Sequence, residues 1–176
     1  MFIKPKHKAS VPKPAIPERS DRQNQLSRNN LMIHDMLNKL SRDHVMIQKK
    51  LKILSVEYVI EHGIDFEDEE IGFDEANFYF VCDSEGYFTG LIYKKNDNGN
   101  LMSYTFYEDG LKDGVEVSFY PSGKIHYYSF YRKGKITGKF YEWYENGMIK
   151  KYIDRIHDKR IEADEQGNIT KQGKAD

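Results

Sequence analysis

A chain of 176 residues with a formal net charge of -1 fits one compact domain with a flanking segment, and it carries no long-range field that would draw it to nucleic acid or an acidic membrane. Its single cysteine, Cys82, cannot form an intrachain disulfide, which excludes the staple of small secreted domains and makes a reducing cytoplasm the expected home. No stretch approaches the roughly 20 apolar residues of a membrane helix, and Met1 to Lys13 lacks the apolar segment of a secretory signal, so a soluble, unexported protein is expected.

Residues 1–19 carry Pro5, Pro12, Pro14 and Pro17 among Lys4, Lys6, Lys8 and Lys13. That composition cannot bury enough apolar surface to order itself and reads as a flexible basic tail. Residues 20–60 form an amphipathic helical region. From Ser20 to Leu54 there is neither Pro nor Gly, and Leu26, Ile33, Leu40, Ile47 and Leu54 recur every seventh residue. Leu37 and Leu51 widen the apolar stripe, and Arg, Asn, Lys and Gln face it. Ser20 with Gln23 suits a starting cap, while Ser41 and Asp43 mark a break that would make a helix pair. The stripe either docks on the following sheet or pairs with a second copy.

Residues 61–76 are an acidic linker. Glu61, Asp65, Glu67, Asp68, Glu69, Glu70, Asp74 and Glu75 occur there without a Lys or Arg. Such a loop could offer carboxylates to the basic site of a nucleic-acid-directed enzyme, or simply be a solvated connection. The order of these residues is not that of a calcium-binding EF-hand loop.

Residues 77–171 are repetitive, and a short tail, 172–176, follows. Three glycine sets recur at a constant spacing: Gly86, Gly110 and Gly134; Gly90, Gly114 and Gly138; Gly99, Gly123 and Gly147. Leu101, Ile125 and Ile149 share a position, as do Tyr104, Tyr128 and Tyr152. A shortened last copy aligns Lys159 to Gly167 with Lys139 to Gly147, as a terminal cap would. Asn98-Gly99, Ser122-Gly123 and Asn146-Gly147 supply the positive φ that tight hairpin turns require. Strands such as Phe140 to Glu145 and Met148 to Ile153 flank them, and Gly134 and Gly138 turn the chain into the next hairpin. The fold class is α+β: an N-terminal helix or helix pair, then a single-layer antiparallel β-meander of tandem hairpin repeats, each roughly 24 residues long.

Alternation places Val115, Val117, Phe119, Tyr141 and Trp143 on one face and Tyr120, Phe140 and Tyr144 on the other. All aromatic residues except Phe2, Tyr58, Phe66 and Phe73 lie between Phe78 and Tyr152. Most are expected to be ladder positions that hold hairpins together, but Tyr and Trp are also enriched in binding hot spots. The candidate partner-binding residues are therefore Tyr120, Tyr141, Trp143 and Tyr144, with Asp68, Glu69 and Glu70 from the acidic loop. No nucleophile with a base, paired-carboxylate cleft or metal-ligand spacing is visible, so neither catalysis, a cofactor nor a metal is expected. Cys82 has no His near it in sequence and reads as an incidental or buried thiol.

The pattern Tyr-x-x-Gly-Lys-x-x-Gly-x-x-x-x-x-Tyr-x-x-Gly, at Tyr131 to Gly147, resembles the MORN repeat. The alternation of Ser122-Gly123-Lys124 with Gly134-Lys135-Ile136-Thr137-Gly138 is similar to its variant in bacterial YwqK-family antitoxins. The likeness spans about Cys82 to Lys171. It implies a protein that neutralises a cognate toxin by binding and occluding it. The wider MORN class implies the alternative, an assembly scaffold whose helix mediates homodimerisation and whose basic tail touches a membrane surface, at about 1 kcal/mol per Lys near an anionic bilayer.

Overall fold

The computed structural model describes residues 49–68, 71–73 and 81–175, together with Gln23, Ser27, Arg28, 31–33 and Asp35. The chain divides into two compact units, Met1–Ile33 and His34–Asp176. In the first, Gln23, Ser27, Arg28 and 31–33 are helical, with Leu31 and Met32 exposed and Ile33 buried. Leu26, Leu37, Leu40 and Ile47 lie outside the described residues.

In the second unit the helix that includes Lys49 and Lys50 ends at Leu51, because Lys52 turns to a φ of 52°. The expected stripe position Leu54 thus lies outside any helix. A new helix, α1 (Val56–His62), starts from Ser55, whose hydroxyl caps the amide of Tyr58 at 3.2 Å. It buries Val59 and stops at Gly63. A Cβ on Gly63 would meet the Val59 carbonyl at 2.7 Å and the Tyr93 ring at 2.9 Å, so helix and sheet close here only on glycine.

Among the described residues the main sheet has nine strands. β1 (Ile64–Asp65) pairs parallel with β5 (Gly90–Lys95). From β5 an antiparallel meander runs through β6 (Leu101–Glu108), β7 (Leu111–Phe119), β8 (Ile125–Arg132), β9 (Lys135–Trp143), β10 (Ile149–Asp154), β11 (Lys159–Ala163) and β12 (Ile169–Gly173). A second, three-stranded sheet joins β2 (Gly72–Phe73), β3 (Val81–Asp83) and β4 (Gly86–Tyr87). The acidic stretch is therefore more than a solvated connection. Its Ile64, Phe66 and Ile71 pack against a buried cluster of Val81, Phe88 and Ile92, which binds β1 and the small sheet to the main one.

Two turn types alternate along the meander. Asp109-Gly110 and Lys133-Gly134 are two-residue loops with φ near 50° at the first residue and 76° and 75° at the second, closed by Glu108 opposite Leu111 and Arg132 opposite Lys135. A side chain from the preceding repeat supports each costly left-handed non-glycine. Thr89 Oγ1 accepts from the Asp109 amide, and the Asp113 carboxylate accepts from the Lys133 amide, both at 3.0 Å. At the other strand ends, the amides of Gly99, Gly123, Gly147 and Gly167 donate to Asn96, Tyr120, Tyr144 and Asp164. These are longer loops with glycine in the left-handed position and a neighbouring register shift, a type I turn closed by a bulge.

The second glycine set corrects the expected turn assignment. Gly114 and Gly138 stand inside β7 and β9, and Gly90 begins β5; all three have positive φ. They bend strands instead of connecting them. At Gly114 a Cβ would come within 2.9 Å of the Phe106 Cβ.

Successive cross-strand partners Tyr93, Tyr104, Val117, Tyr128, Tyr141, Tyr152 and Ile161 form a row on one face. The amide of Leu54 donates to the Tyr104 hydroxyl at 3.0 Å, so this is the helix-side face. Ring centroids of Tyr141 lie 5.2 Å from Tyr152 and 6.2 Å from Tyr128, a ladder that holds neighbouring repeats together. The repeat set Leu101, Ile125 and Ile149 is buried.

Candidate functional site

Strand alternation divides the candidate aromatic residues between two faces. Tyr141 and Trp143 belong to the helix-side face, stacked with centroids 5.5 Å apart, and Trp143 has no exposed surface. Trp143, expected as a candidate partner-binding residue, is therefore a core side chain: β9 points residue 143 to the same buried side as residue 141. Among the described residues the Trp143 indole N–H has no hydrogen-bond partner.

Tyr120 and Tyr144 open consecutive bulge loops on the opposite face, where both are half-buried. Their hydroxyls donate to the next loop: Tyr120 to the Trp143 carbonyl at 2.7 Å, Tyr144 to the Ala163 carbonyl at 3.1 Å. Lys124 Nζ and Asn146 Nδ2 add parallel bonds to the Glu145 and Glu165 carbonyls, each at 2.9 Å. Both tyrosines thus stitch one repeat to the next. Their rings remain accessible at the edge, Tyr120 beside His126 at 4.6 Å and Tyr144 beneath Lys150 Nζ at 5.7 Å.

Asp68 is exposed in the turn between β1 and β2, its amide donating to the Asp65 carbonyl at 3.0 Å. Glu69 and Glu70 lie outside the described residues. Asp65 pairs with Lys95 at 3.2 Å, which anchors the base of this segment to β5.

Between Tyr120 and Tyr144 and beyond them, the opposite face carries a second cross-strand row: Ser103, Ser118, Tyr127, Glu142, Lys151, Glu162 and Lys171. Charges alternate along its last four members, so adjacent strands attract. Lys150 binds Glu142 at 2.7 Å, and Arg160 Nε binds Glu162 at 2.9 Å, holding the Glu162 carboxyl below its ordinary pKa. Phe140 stacks on Tyr127 at 6.2 Å. The surface is therefore a mosaic of half-buried rings and paired charges.

Sequence reasoning missed the most concentrated polar group on this face. Glu116 on β7 is buried and receives Lys112 Nζ and Thr105 Oγ1 on one carboxylate oxygen and Ser129 Oγ on the other, the two hydroxyls at 3.4 Å. The Tyr127 and Tyr131 hydroxyls lie close enough to feel its charge. Burial, followed by the Glu116 charge, pushes the Tyr131 and Tyr107 hydroxyls up to about 12, so both remain donors at neutral pH. The signal was present in the repeat. Glu116 occupies the position of Ile92 and Phe140, Lys112 that of Phe88 and Ile136, and Ser129 that of Ile153. Polar residues replace apolar ones at positions 112 and 116 of the middle repeat, Ser129 matches Thr105 before it and Ile153 after it, and the structure brings Lys112, Glu116 and Ser129 together.

Lys112 also borders a cleft of about 440 Å³ with an apolar floor from Phe73, Val81 and Leu111. Lys133 and Lys135 line the same cleft, with Tyr107 and Tyr131 as aromatic walls. Farther along the sheet, the Asp154 carboxylate caps the amides of Ile156 and His157 at 3.0 and 3.2 Å and accepts from Tyr152 at 3.0 Å. Burial opposes its ionisation, but these bonds and the His157 ring outweigh it and hold the carboxyl at about 2. This is a turn-building group and not part of the mosaic.

Among the described residues no three His, Cys, Asp or Glu side chains converge on a metal position, and no helix is long and apolar enough to cross a membrane. No protein-family model matches the chain. No curated protein matches it. A solved structure described as a GtfA/B complex bound to UDP and GlcNAc is similar over 60% of this chain and 24% of its own, at 11% identity and a TM-score of 0.22, a likeness too slight to support an argument.

Proposed function

We propose that this chain is a non-catalytic protein-binding module that acts in the cytoplasm by occlusion, as an antitoxin or immunity protein does against its toxin. The observation that carries this reading is the mosaic opposite the helix side. Tyr120, Tyr127, Phe140 and Tyr144 present ring edges among Lys150, Lys151, Glu142 and Glu162 across consecutive strands. Rigid rings surrounded by charges offer apolar contact at low entropic cost, with polar groups to fix the register of a partner. Occlusion needs no reacting group on the binder. The acidic loop at Asp68, with Glu69 and Glu70, supplies a second element against a basic partner.

The test is capture of a partner from the native lysate by the tagged full-length chain, then assay of the partner's own activity with the chain added. One stoichiometric enzyme inhibited in proportion to the bound chain supports the reading. A captured enzyme that works at full rate in the complex contradicts occlusion.

A second reading, a scaffold dimerised through helices, is favoured by the exposed apolar residues Val56, Tyr58 and Ile60 on α1. Molar mass by light scattering separates the two. A dimer lost on Tyr58→Glu supports the scaffold, and a monomer opposes it.

A further inference from the structure

We infer that the cleft between the Asp109-Gly110 and Lys133-Gly134 turn ends binds an acidic side chain of a protein partner set beside an apolar one. This rests on the binding-module reading and names the kind of anchor it would use. Among the described residues, the ionisable groups lining the cleft, apart from the tyrosine hydroxyls, are Lys112, Lys133 and Lys135, with no carboxylate among them. Lys112 is neutralised by Glu116 and held over the Tyr131 ring at 5.0 Å, while Lys133 and Lys135 are exposed. Among the described residues the Lys133 ammonium is in no ion pair, and the nearby Asp113 carboxylate accepts from the Lys133 amide. Beneath these charges the floor is apolar, and a volume of about 440 Å³ lies within the range of cavities that enclose ligands.

The repeat supplies an independent argument. Positions 112 and 116 hold Phe88 and Ile92 in the preceding repeat and Ile136 and Phe140 in the following one. The fold accepts apolar residues at both, and a buried ion pair is no more stabilising than the apolar residues it displaces. Its presence only where the cleft opens ties it to recognition, with Glu116 as the positioning residue that orients Lys112 and Tyr131. A net charge of -1 gives no general attraction to an anionic bilayer, so the local charge favours a protein carboxylate over a lipid phosphate.

The test uses the full-length chain and a fluorescein-labelled peptide of alternating Asp and Phe, followed by anisotropy, with the Asn and Phe counterpart as the neutral probe. The acidic peptide is expected to bind about ten-fold tighter or more, and K133E/K135E to remove that preference. The repeat-matched variant K112I/E116F is expected to fold, by circular dichroism and thermal midpoint, and to lose the preference as well. Equal binding of the two peptides, or a preference that survives K133E/K135E, overturns the inference. So does lysine-dependent binding to vesicles containing phosphatidylserine with none to the peptide. A captured partner that binds K133E/K135E as it binds the parent removes this cleft and leaves the binding-module reading standing.

Discussion

Replacing Trp143 by Ala tests the face assignment most severely. The indole has no exposed surface and stacks on Tyr141 at 5.5 Å. An indole buries about 150–250 Å², which at about 25 cal/mol/Å² is roughly 4–6 kcal/mol, and large-to-small changes of this type cost about 3–5 kcal/mol. Against a typical stability of about 5–15 kcal/mol, that is a large fraction of the total. Because its N–H has no partner among the described residues, Trp143→Phe forfeits contacts but no hydrogen bond, and should cost less than half as much. Tyr144→Phe removes only the bond to the Ala163 carbonyl and should cost about 0.5–1.5 kcal/mol. Urea unfolding followed by far-ultraviolet circular dichroism reads all three. A Trp143→Ala loss under about 1 kcal/mol would refute the burial argument and return Trp143 to the candidate partner-binding residues.

Other expectations follow from individual contacts. Gly114→Ala should destabilise more than Gly138→Ala, since both have positive φ but only the former brings a Cβ to 2.9 Å from Phe106; thermal melts of the pair decide. Lys112→Ile alone leaves the Glu116 carboxylate, 8% exposed, without its cation and should cost about 3 kcal/mol, whereas adding Glu116→Phe should restore stability in urea. The Asp154 carboxyl is depressed to about 2 from an ordinary value near 3.9, so its contribution is complete above about pH 4 and lost as pH falls through 2. An Asp154→Asn variant should therefore lose stability at pH 7 but show a flatter acid limb. Tyr104, raised to about 12 by burial, has the opposite sign: its contribution is full below about pH 10 and declines as pH rises through 12. Tyrosinate absorbance should report that late ionisation.

Much of the meander was legible because turns and strands repeat together. Glycines at a constant spacing marked the bends from β5 to β10, and Gly99, Gly123 and Gly147 sit in loops of one type. The same spacing could not distinguish a glycine that turns from one that bends a strand, since Gly110 and Gly114 both need positive φ. Nor did it distinguish which aromatic residues are covered. Trp143 and Tyr144 are adjacent in sequence, but β9 ends between them, so one enters the core and the other begins a loop. The acidic stretch was read by charge, and Ile64, Phe66 and Ile71, which attach it to the sheet, were outvoted by their neighbours. The Glu116 centre escaped because attention to what the repeats share hides the positions at which one repeat departs from the others.

The central claim is that the mosaic face, and not the helix side, meets a protein partner. Isothermal titration of the captured partner into the parent chain and into Phe140→Ala/Lys150→Ala, both first shown to have the same dichroism and melting behaviour, tests it directly. The account predicts a loss of about ten-fold or more in affinity from these two half-buried side chains. Unchanged affinity in a folded double variant would contradict it.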